Sequence, residues 1–149
     1  MLLDNPAFVA YAITALVLSA NLLFLWARSG AVRAGTKIAV NEEDSIRFGA
    51  ALEDRDPPAV ARVLRVHANA QATIYPFLVL GLVFVLAGGS GTAAKILFGI
   101  FTAARLMHSV VYLKGMQPWR TIFFIISGLA IIALAGAIVW LLVQGPSAR

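Results

Sequence analysis

The chain has 149 residues, of which 60% are hydrophobic and 13% charged, and its mean hydropathy is +0.86. Soluble domains are about 45–50% apolar and about 25% charged, so this composition excludes an ordinary soluble domain and a disordered chain. The absence of cysteine excludes disulfides, a protein thiolate nucleophile and cysteine-ligated metal. The two histidines lie in segments without acidic residues, so we predict no metal site.

The charges are distributed unevenly along the chain, although the net charge is only +5. Six of the seven acidic residues lie between Glu42 and Asp56, whereas Pro57 to Arg149 contains seven cations and no Asp or Glu. These cations are dispersed among apolar runs and form no basic face of the kind that binds nucleic acid, so we predict no nucleic-acid partner. A membrane segment with buried cations and no acid requires a counter-ion from elsewhere.

Four segments contain the roughly 20 apolar residues that a membrane-crossing helix needs. The first is predicted at about 6–28, after Asn5 as a cap and Pro6 at the first helical position. The others are predicted at about 58–87, 93–114 and 118–143. We therefore predict an all-α fold: an integral membrane four-helix bundle that forms a single domain over 1–149.

The connections give the predicted orientation. Residues about 29–57 form the only long polar segment, predicted as an ordered loop or a short surface helix, and the other two connections are short turns. Lys and Arg are concentrated in this loop and in the turn before the fourth helix, whereas Lys95 and Arg149 lie on the opposite side. By the positive-inside rule, the long loop is cytoplasmic and both termini are extracytoplasmic.

Arg105 is the most informative single residue. It is the thirteenth residue of the predicted third helix, about 18 Å from its start, with His108 and Tyr112 on the same face. A central Arg in a membrane helix costs roughly 2.5–3.5 kcal/mol on insertion scales. Two interpretations stay open: a cation satisfied by carbonyls, water or snorkelling, or part of an anion-binding cavity.

Other polar residues are predicted at the same depth. Arg120 and Thr121 begin the fourth helix, where backbone N–H groups and the helix dipole favour an anion. Individually, these residues have simpler interpretations, such as contact with anionic lipid head groups or positive-inside anchoring. Together they favour a dicarboxylate or phosphate-bearing ligand that enters from the cytoplasm. The second helix contributes Arg62, Arg65, His67 and Asn69.

Three stretches resemble the MAPEG family, the membrane-associated proteins in eicosanoid and glutathione metabolism. They are Arg62 to Phe77, Arg105 to Leu113 and Pro118 to Thr121, and the likeness is strongest to the family's prostaglandin-synthesising branch. Gly30 to Arg33 and Asn41 to Asp44 also resemble the family's first loop. The resemblance implies a homotrimer that binds glutathione between neighbouring subunits, together with membrane lipid and a lipophilic second substrate. Glutathione carries two carboxylates and a thiol, which suits a chain that lacks both a counter-ion and cysteine.

The resemblance also implies roles for individual residues. Arg120 matches an arginine that stabilises the glutathione thiolate, Thr121 a neighbouring hydroxyl position, and Asp44 a loop aspartate with a proposed catalytic role. Arg33 matches an arginine that reaches glutathione from the adjacent subunit. The remaining positions that match glutathione contacts are Arg65, His67, Asn69, Arg105, His108 and Tyr112.

Four positions depart from the family pattern. Ala72 replaces a glutamate of the second helix, and Ala68 replaces an arginine of the prostaglandin-synthesising branch. Phe124 and Gly128 stand where that branch has tyrosine and glutamine. These differences argue against prostaglandin synthesis as the specific activity.

We therefore predict a membrane glutathione transferase or glutathione-dependent peroxidase, with a bacterial inner membrane favoured over the endoplasmic reticulum. The alternative is a non-enzymatic membrane scaffold that binds lipid or glutathione. A small anion transporter is a third class, which is disfavoured because the sequence has neither broken helices nor inverted repeats.

Overall fold

A computed structural model of the protein describes residues 1–145, which contain five helices and one pair of very short strands. Arg149, assigned from sequence to the extracytoplasmic side, lies outside the described residues. The chain begins with a single 3-10 turn at Leu2–Asp4. The elements that follow are α1 Pro6–Ala34, β1 Ile38–Ala39, α2 Glu42–Phe48, β2 Ala51–Leu52, α3 Pro58–Leu86, α4 Gly91–Leu113 and α5 Trp119–Gln144.

The helices α1, α3, α4 and α5 are each long and apolar enough to cross a membrane. Their most apolar windows have mean hydropathies of 2.1, 1.7, 1.6 and 2.8 respectively. The predicted all-α membrane bundle is thereby confirmed, and the protein is an integral, multi-pass membrane protein. The bundle has a terminal end, with the N-terminus and the α3–α4 turn, and a loop end, with residues 35–57 and the α4–α5 turn.

The first helix begins where its sequence predicts. The Asn5 side-chain oxygen accepts hydrogen bonds from the backbone N–H groups of Ala7 (2.9 Å) and Phe8 (3.3 Å), which confirms the predicted cap. In the same way, Ser90 Oγ accepts a hydrogen bond from the Ala93 N–H at 3.2 Å at the start of α4. Both caps satisfy backbone donors that would otherwise lack partners at a membrane surface.

The end of the first helix differs from the sequence prediction. We predicted an end near residue 28, but α1 continues to Ala34, so the loop begins at Gly35. Polar residues in this extension are exposed or half-buried, and nothing in its composition forbids a helix beyond the hydrocarbon core. The helix ends with Thr36 Oγ1 donating to the Arg33 carbonyl at 2.8 Å. The other three long helices begin and end within two residues of their predicted positions.

The long loop is folded. Strands β1 and β2 pair in parallel, with Ile38 opposite Ala51 and Ala39 opposite Leu52, and α2 lies between them. Helix α2 ends at Gly49, whose φ of 60° is the left-handed conformation that favours glycine. An ion pair of 2.7 Å between Arg33 Nη2 and Asp56 Oδ1 joins the end of α1 to the residues before α3.

The four long helices pack so that α4 contacts α1, α3 and α5, while α3 also contacts α1 and α5. From the middle of the bundle to the terminal end, the core contains an aromatic cluster around Phe98. The Phe77 and Phe101 rings stack with centroids 3.6 Å apart, and Phe98 meets Phe77, Phe84 and Tyr11 edge-on at 5.7, 6.1 and 6.3 Å. This aromatic cluster comprises Tyr11, Phe77, Phe84, Phe98 and Phe101.

Candidate functional site

A cavity of about 250 Å³ lies toward the loop end, where α3, α4 and α5 meet. We call it the polar cavity because five of its six lining side chains carry polar atoms. Each of the three helices contributes, and no acidic residue lines the cavity. Its lining residues are Asn69, His108, Tyr112, Arg120, Thr121 and Phe124.

The wall formed by α4 and α5 is organised around Arg120, the second residue of α5. The Arg120 guanidinium carbon lies 4.7 Å from the centroid of the Tyr112 ring. This cation–π contact holds one face of the guanidinium against the ring. The His108 ring meets the Tyr112 ring edge-on at 5.5 Å and lies 6.2 Å from Phe124. The wall thus places a cation, a hydroxyl at Thr121 and the positive end of the α5 helix dipole beside one another.

A second contact to Arg120 comes from the α4–α5 turn. We assign the Gln117 amide the orientation in which its oxygen accepts hydrogen bonds from Arg120 Nε at 3.0 Å and Nη2 at 2.7 Å, and its nitrogen donates to Thr121 Oγ1 at 3.1 Å. The opposite amide orientation would place N–H donors against the guanidinium, so the hydrogen-bond network fixes this one. Gln117 therefore contacts both of the α5 residues assigned from sequence to thiolate chemistry.

Arg105 lies behind the polar cavity and does not line it. Its side chain is fully buried at 0% exposure, and its Nη2 donates to Asn69 Oδ1 at 2.9 Å. It lies about 21 Å along a helix that is about 33 Å long, which is the loop half of α4. Within residues 1–145, Arg105 Nε and Nη1 have no hydrogen-bond partner. Arg105 therefore reaches the cavity through Asn69.

Two further polar atoms on the same helix are buried without a partner in the described part of the chain, Thr102 Oγ1 and His108 Nδ1. A buried polar group without a partner costs about 1–3 kcal/mol, and more for a charged group. Together with Arg105, these groups form a row along α4 whose hydrogen bonds the chain itself leaves unmade. An acid-free site rich in donors fits a ligand with carboxylates.

Arg65 and His67 occupy α3 but do not line the polar cavity within one chain. Arg65 is exposed and His67 is half-buried, so the predicted grouping of Arg65 with Arg105 and Arg120 is not formed within a single subunit. Arg62 instead crosses to the α4–α5 turn. Its Nη1 lies 2.7 Å from the position that a side-chain carbon on Gly115 would occupy.

Arg33 and Asp44 line a separate cavity of about 460 Å³, which we call the loop cavity. Its other walls come from Gly30 and Ala34 of α1, and from Lys37, Ile38, Ala39, Phe48 and Ala50 of the loop. Arg33 is held by its ion pair with Asp56, and Asp44 Oδ2 accepts a weak hydrogen bond of 3.4 Å from Asn41 Nδ2. Arg33 and Asp44 are therefore neighbours of each other and are not neighbours of Arg120 in the same chain.

Sequence reasoning missed three residues that the geometry makes prominent: Gln117, Lys37 and Thr102. Gln117 precedes Arg120 and Thr121 by three and four residues, the spacing at which side chains meet around a helix start. That spacing was a usable signal. Lys37 and Thr102 carried no comparable signal, because their positions depend on the fold of the loop and on the rotation of α4.

Four membrane-crossing helices around a donor-rich, acid-free cavity define a class: membrane-embedded helical bundles with a polar site near one end. Comparison with known protein families assigns residues 11–140 to the MAPEG family, and the chain belongs to this family. Human prostaglandin E synthase is 32% identical over 141 residues, which cover 94% of this chain and 93% of that protein. Rat microsomal glutathione S-transferase 1 is 34% identical over 130 residues, 84% of each chain.

The comparisons confirm two sequence predictions, membership of the MAPEG family and an enzyme. The relatives include a prostaglandin E synthase, from the branch to which the residue patterns are most similar, and a glutathione S-transferase. The stretches that carry the family resemblance also supply residues that line the polar cavity. These residues lie in the N-terminal half of α3, at the end of α4 and at the start of α5.

Proposed function

We propose that the protein is a membrane-bound, glutathione-dependent transferase or peroxidase that activates the glutathione thiol for attack on a lipophilic electrophile or hydroperoxide. The observation that carries this proposal is the convergence of Arg120, Thr121 and the start of α5 on a cavity without acidic residues. The name of the rat relative, a microsomal glutathione S-transferase, supports the same co-substrate.

The proposed activation is electrostatic. A free thiol has a pKa near 8.5, and a neighbouring arginine or helix N-terminus lowers it because both stabilise the thiolate. Arg120 supplies the first effect and the dipole at the N-terminus of α5 the second, while the Thr121 hydroxyl donates a hydrogen bond. At neutral pH, a larger fraction of bound glutathione is then ionised than of free glutathione.

The thiolate carries out the chemistry, so the protein needs no nucleophile of its own. In conjugation, the sulfur forms a bond to the electrophilic carbon and the leaving group departs with the electron pair of its broken bond. With a hydroperoxide, the sulfur takes the terminal oxygen as the O–O bond breaks, and the alcohol is released. A second glutathione then reduces the sulfenic acid to disulfide and water.

In this proposal, the carboxylates and amides of glutathione meet Asn69, His108 and Tyr112, with Arg105 acting through Asn69. Arg65, His67, Arg33 and Asp44 complete the site from a neighbouring subunit of a homotrimer. Two features support this division. Arg33 and Asp44 lie in the separate loop cavity of their own chain, and α3 exposes a continuous stripe suited to helix contact. The stripe comprises Arg62, Arg65, Ala68, Ala72, Tyr75, Val79 and Leu86.

We further propose that the loop end and the polar cavity face the cytoplasm, with both termini on the other side, and that a bacterial inner membrane is the location. The concentration of Lys and Arg at the loop end supports this orientation. Glutathione then enters from the aqueous side. The lipophilic second substrate arrives from membrane lipid along the apolar flank of the helices.

A non-enzymatic scaffold is the second candidate function, and one observation favours it. Phe124 lines the polar cavity but lacks the hydroxyl that a tyrosine at this position would contribute. In the scaffold, the cavity binds glutathione or a lipid head group without chemistry. The experiment below separates the two candidates.

The test uses the purified protein in lipid nanodiscs, with glutathione binding measured by calorimetry, thiolate formation by ultraviolet absorbance and conjugation with a model electrophile. We expect Arg120→Ala to lower kcat/KM about 100-fold, because it removes a charge aimed at the developing thiolate. Arg28→Ala is the matched control, since Arg28 is exposed on α1 and lines neither cavity. Binding without conjugation in the unmodified protein supports the scaffold, and equal rates in the unmodified protein and Arg120→Ala refute the thiolate role.

A further inference from the structure

The α4–α5 turn contains a polar residue whose hydrogen bonds serve the site and not the turn. Gln117 makes three side-chain hydrogen bonds, two to Arg120 and one to Thr121. A glutamine just before a helix could instead cap the backbone, but the start of α5 has no side-chain cap hydrogen bond. The amide is therefore committed to two side chains that line the polar cavity.

These hydrogen bonds restrict the Arg120 guanidinium on one edge. Gln117 engages Nε and Nη2, while the Tyr112 ring lies against the guanidinium with its centroid 4.7 Å from the central carbon. An edge contact and a face contact together fix both the position and the plane of a planar cation. Nη1 then remains available to a ligand, since the side-chain contacts of the Arg120 guanidinium among residues 1–145 are those with Gln117 and Tyr112.

The same amide also sets the direction of the Thr121 hydroxyl. Because Gln117 Nε2 donates to Thr121 Oγ1, one lone pair of this oxygen is occupied and the hydroxyl hydrogen must turn elsewhere. A hydroxyl that accepts from an amide is a better donor to a third group, since hydrogen bonds in a chain polarise one another. The Thr121 hydroxyl hydrogen is then left for another acceptor, and Thr121 lines the cavity.

The turn that carries Gln117 is held in place as well. Gly115 has a φ of +71°, and the Arg62 guanidinium lies where any side chain on this residue would project. Arg62 from α3 therefore covers the turn two residues before Gln117. At the loop end, Arg62 of α3 thus contacts the turn, and Gln117 of the turn contacts Arg120 of α5.

We propose that Gln117 is a positioning residue, which orients the Arg120 guanidinium and the Thr121 hydroxyl toward the sulfur of the thiol substrate. The inference rests on the proposed function and deepens it. Gln117 does not touch the reacting atoms. Its contribution is that the two donors reach the thiolate already aligned, so that no side-chain reorganisation accompanies ionisation.

The test compares three variants in nanodiscs. Gln117→Met keeps the side-chain volume but removes the acceptor and the donor, while Gln117→Glu keeps the acceptor but adds a negative charge. The matched control is Gln144→Met, which makes the same exchange at an exposed residue at the other end of α5. The readouts are the pKa of bound glutathione, kcat/KM for conjugation and the unfolding temperature.

We expect Gln117→Met to raise the pKa of the bound thiol by about one pH unit and to lower kcat/KM near neutral pH about tenfold. Gln117→Glu raises the pKa at least as far, because its charge opposes the thiolate even though Arg120 stays bonded. Neither variant changes the unfolding temperature, and Gln144→Met changes nothing. An unchanged thiol pKa in Gln117→Met overturns the proposal.

A double-variant cycle excludes a purely structural role. If Gln117 acts mainly through Arg120, Gln117→Met lowers kcat/KM much less than tenfold in an Arg120→Ala background, where only its contact with Thr121 remains. A tenfold loss that persists in that background refutes the inference.

A ligand-free measurement separates this inference from the proposed function. The NMR signal of the Arg120 Nε–H group, assigned by its loss in Arg120→Lys, is protected from solvent exchange when Gln117 accepts its hydrogen bond. We expect Gln117→Met to remove this protection and Gln117→Glu to retain it. If the unmodified protein binds no glutathione, the proposed function fails, whereas the positioning of Arg120 is still decided by this signal.

Discussion

The two halves of the bundle are built from the same helices but differ in the side chains that they bury. Toward the terminal end, the core is an aromatic cluster around Phe98, which is 1% exposed and contacts three other rings. From the middle of α4 toward the loop end, the polar side chains of Arg105, His108 and Ser109 are buried among aliphatic residues. All four buried side-chain atoms without a partner in the described residues lie between Thr102 and His108.

The terminal half is suited to stable packing, whereas the loop half is suited to binding a ligand. Lipid is as apolar as the helix surfaces, so packing in a membrane relies on close contact, which interlocking rings supply. The buried polar atoms without a partner in the described residues contribute little to stability, and they lie next to the cavity in which we propose that glutathione binds. Changes in the terminal half should therefore alter stability, and changes in the loop half should alter binding.

The largest effect on stability is expected for Phe98→Ala. Removing this ring leaves a void that its neighbours cannot fill, so the free energy of unfolding should fall by about 3 kcal/mol. The measurement is equilibrium unfolding in detergent micelles, with glutathione affinity measured on the folded fraction. Ile100→Ala is the control, because Ile100 is 47% exposed on the same helix. A loss of affinity equal to the loss of stability would mean that the two halves are not independent.

Arg105→Met tests the loop half. The variant removes a fully buried charge and keeps an apolar side chain of similar length, so the ligand-free protein should be at least as stable. Glutathione affinity should fall about 30-fold, because Asn69 loses its partner and the ligand loses a cation, worth about 2 kcal/mol. Lys95→Met, an exposed cation at the terminal end of α4, serves as control. Unchanged affinity in Arg105→Met would remove Arg105 from the site.

Two glycine variants are expected to act in opposite directions. A methyl group on Gly89 would lie 2.3 Å from the Phe84 ring, so Gly89→Ala should destabilise the α3–α4 turn by about 1–2 kcal/mol. Gly136 lies within α5 with no atom within 4 Å of an added methyl group, so Gly136→Ala should stabilise the protein by about 0.5–1 kcal/mol. Thermal unfolding in micelles measures both. Equal shifts in the two variants would contradict the tight packing of this turn.

The smallest effect is expected at the loop itself. The Arg33–Asp56 pair is partly exposed, at 34% and 22%, so solvent screens it and Asp56→Asn should cost less than about 1 kcal/mol. High salt should remove most of the difference between Asp56→Asn and the unmodified protein. Asp54→Asn, at an exposed neighbouring acid, controls for charge alone. A loss that salt does not change would indicate that the pair also anchors α1 structurally.

The sequence was sufficient for the spans because hydropathy is a property of each segment alone. It also brought Asn69, His108, Tyr112, Arg120 and Thr121 to one end of the bundle, and these five residues do line one cavity. The extension of α1 to Ala34 was missed because Arg28, Ser29 and Gly30 resemble the start of a loop. A helix outside the hydrocarbon core has no hydropathy signal.

Other features depend on how helices rotate against each other. The Arg105–Asn69 hydrogen bond joins α4 to α3, and no spacing within either helix predicts it. The separation of Arg33 and Asp44 from Arg120 depends on the path of the folded loop. Gln117 was overlooked because turn residues are usually interpreted by their backbone conformation, whereas this one acts through its side chain.

The Arg105–Asn69 hydrogen bond has a consequence for which ions the cavity tolerates. With one lone pair of its oxygen bonded to a buried guanidinium at 2.9 Å, the Asn69 amide offers another partner its N–H groups and an oxygen that lies beside a positive charge. An amide is normally indifferent to the sign of a neighbouring charge, because it can present either of its ends. Here the guanidinium is fixed beside the oxygen, so a cation that approaches this oxygen also approaches a buried positive charge. A sodium or ammonium ion is therefore disfavoured at Asn69, and the Arg120 guanidinium in the same cavity acts in the same direction.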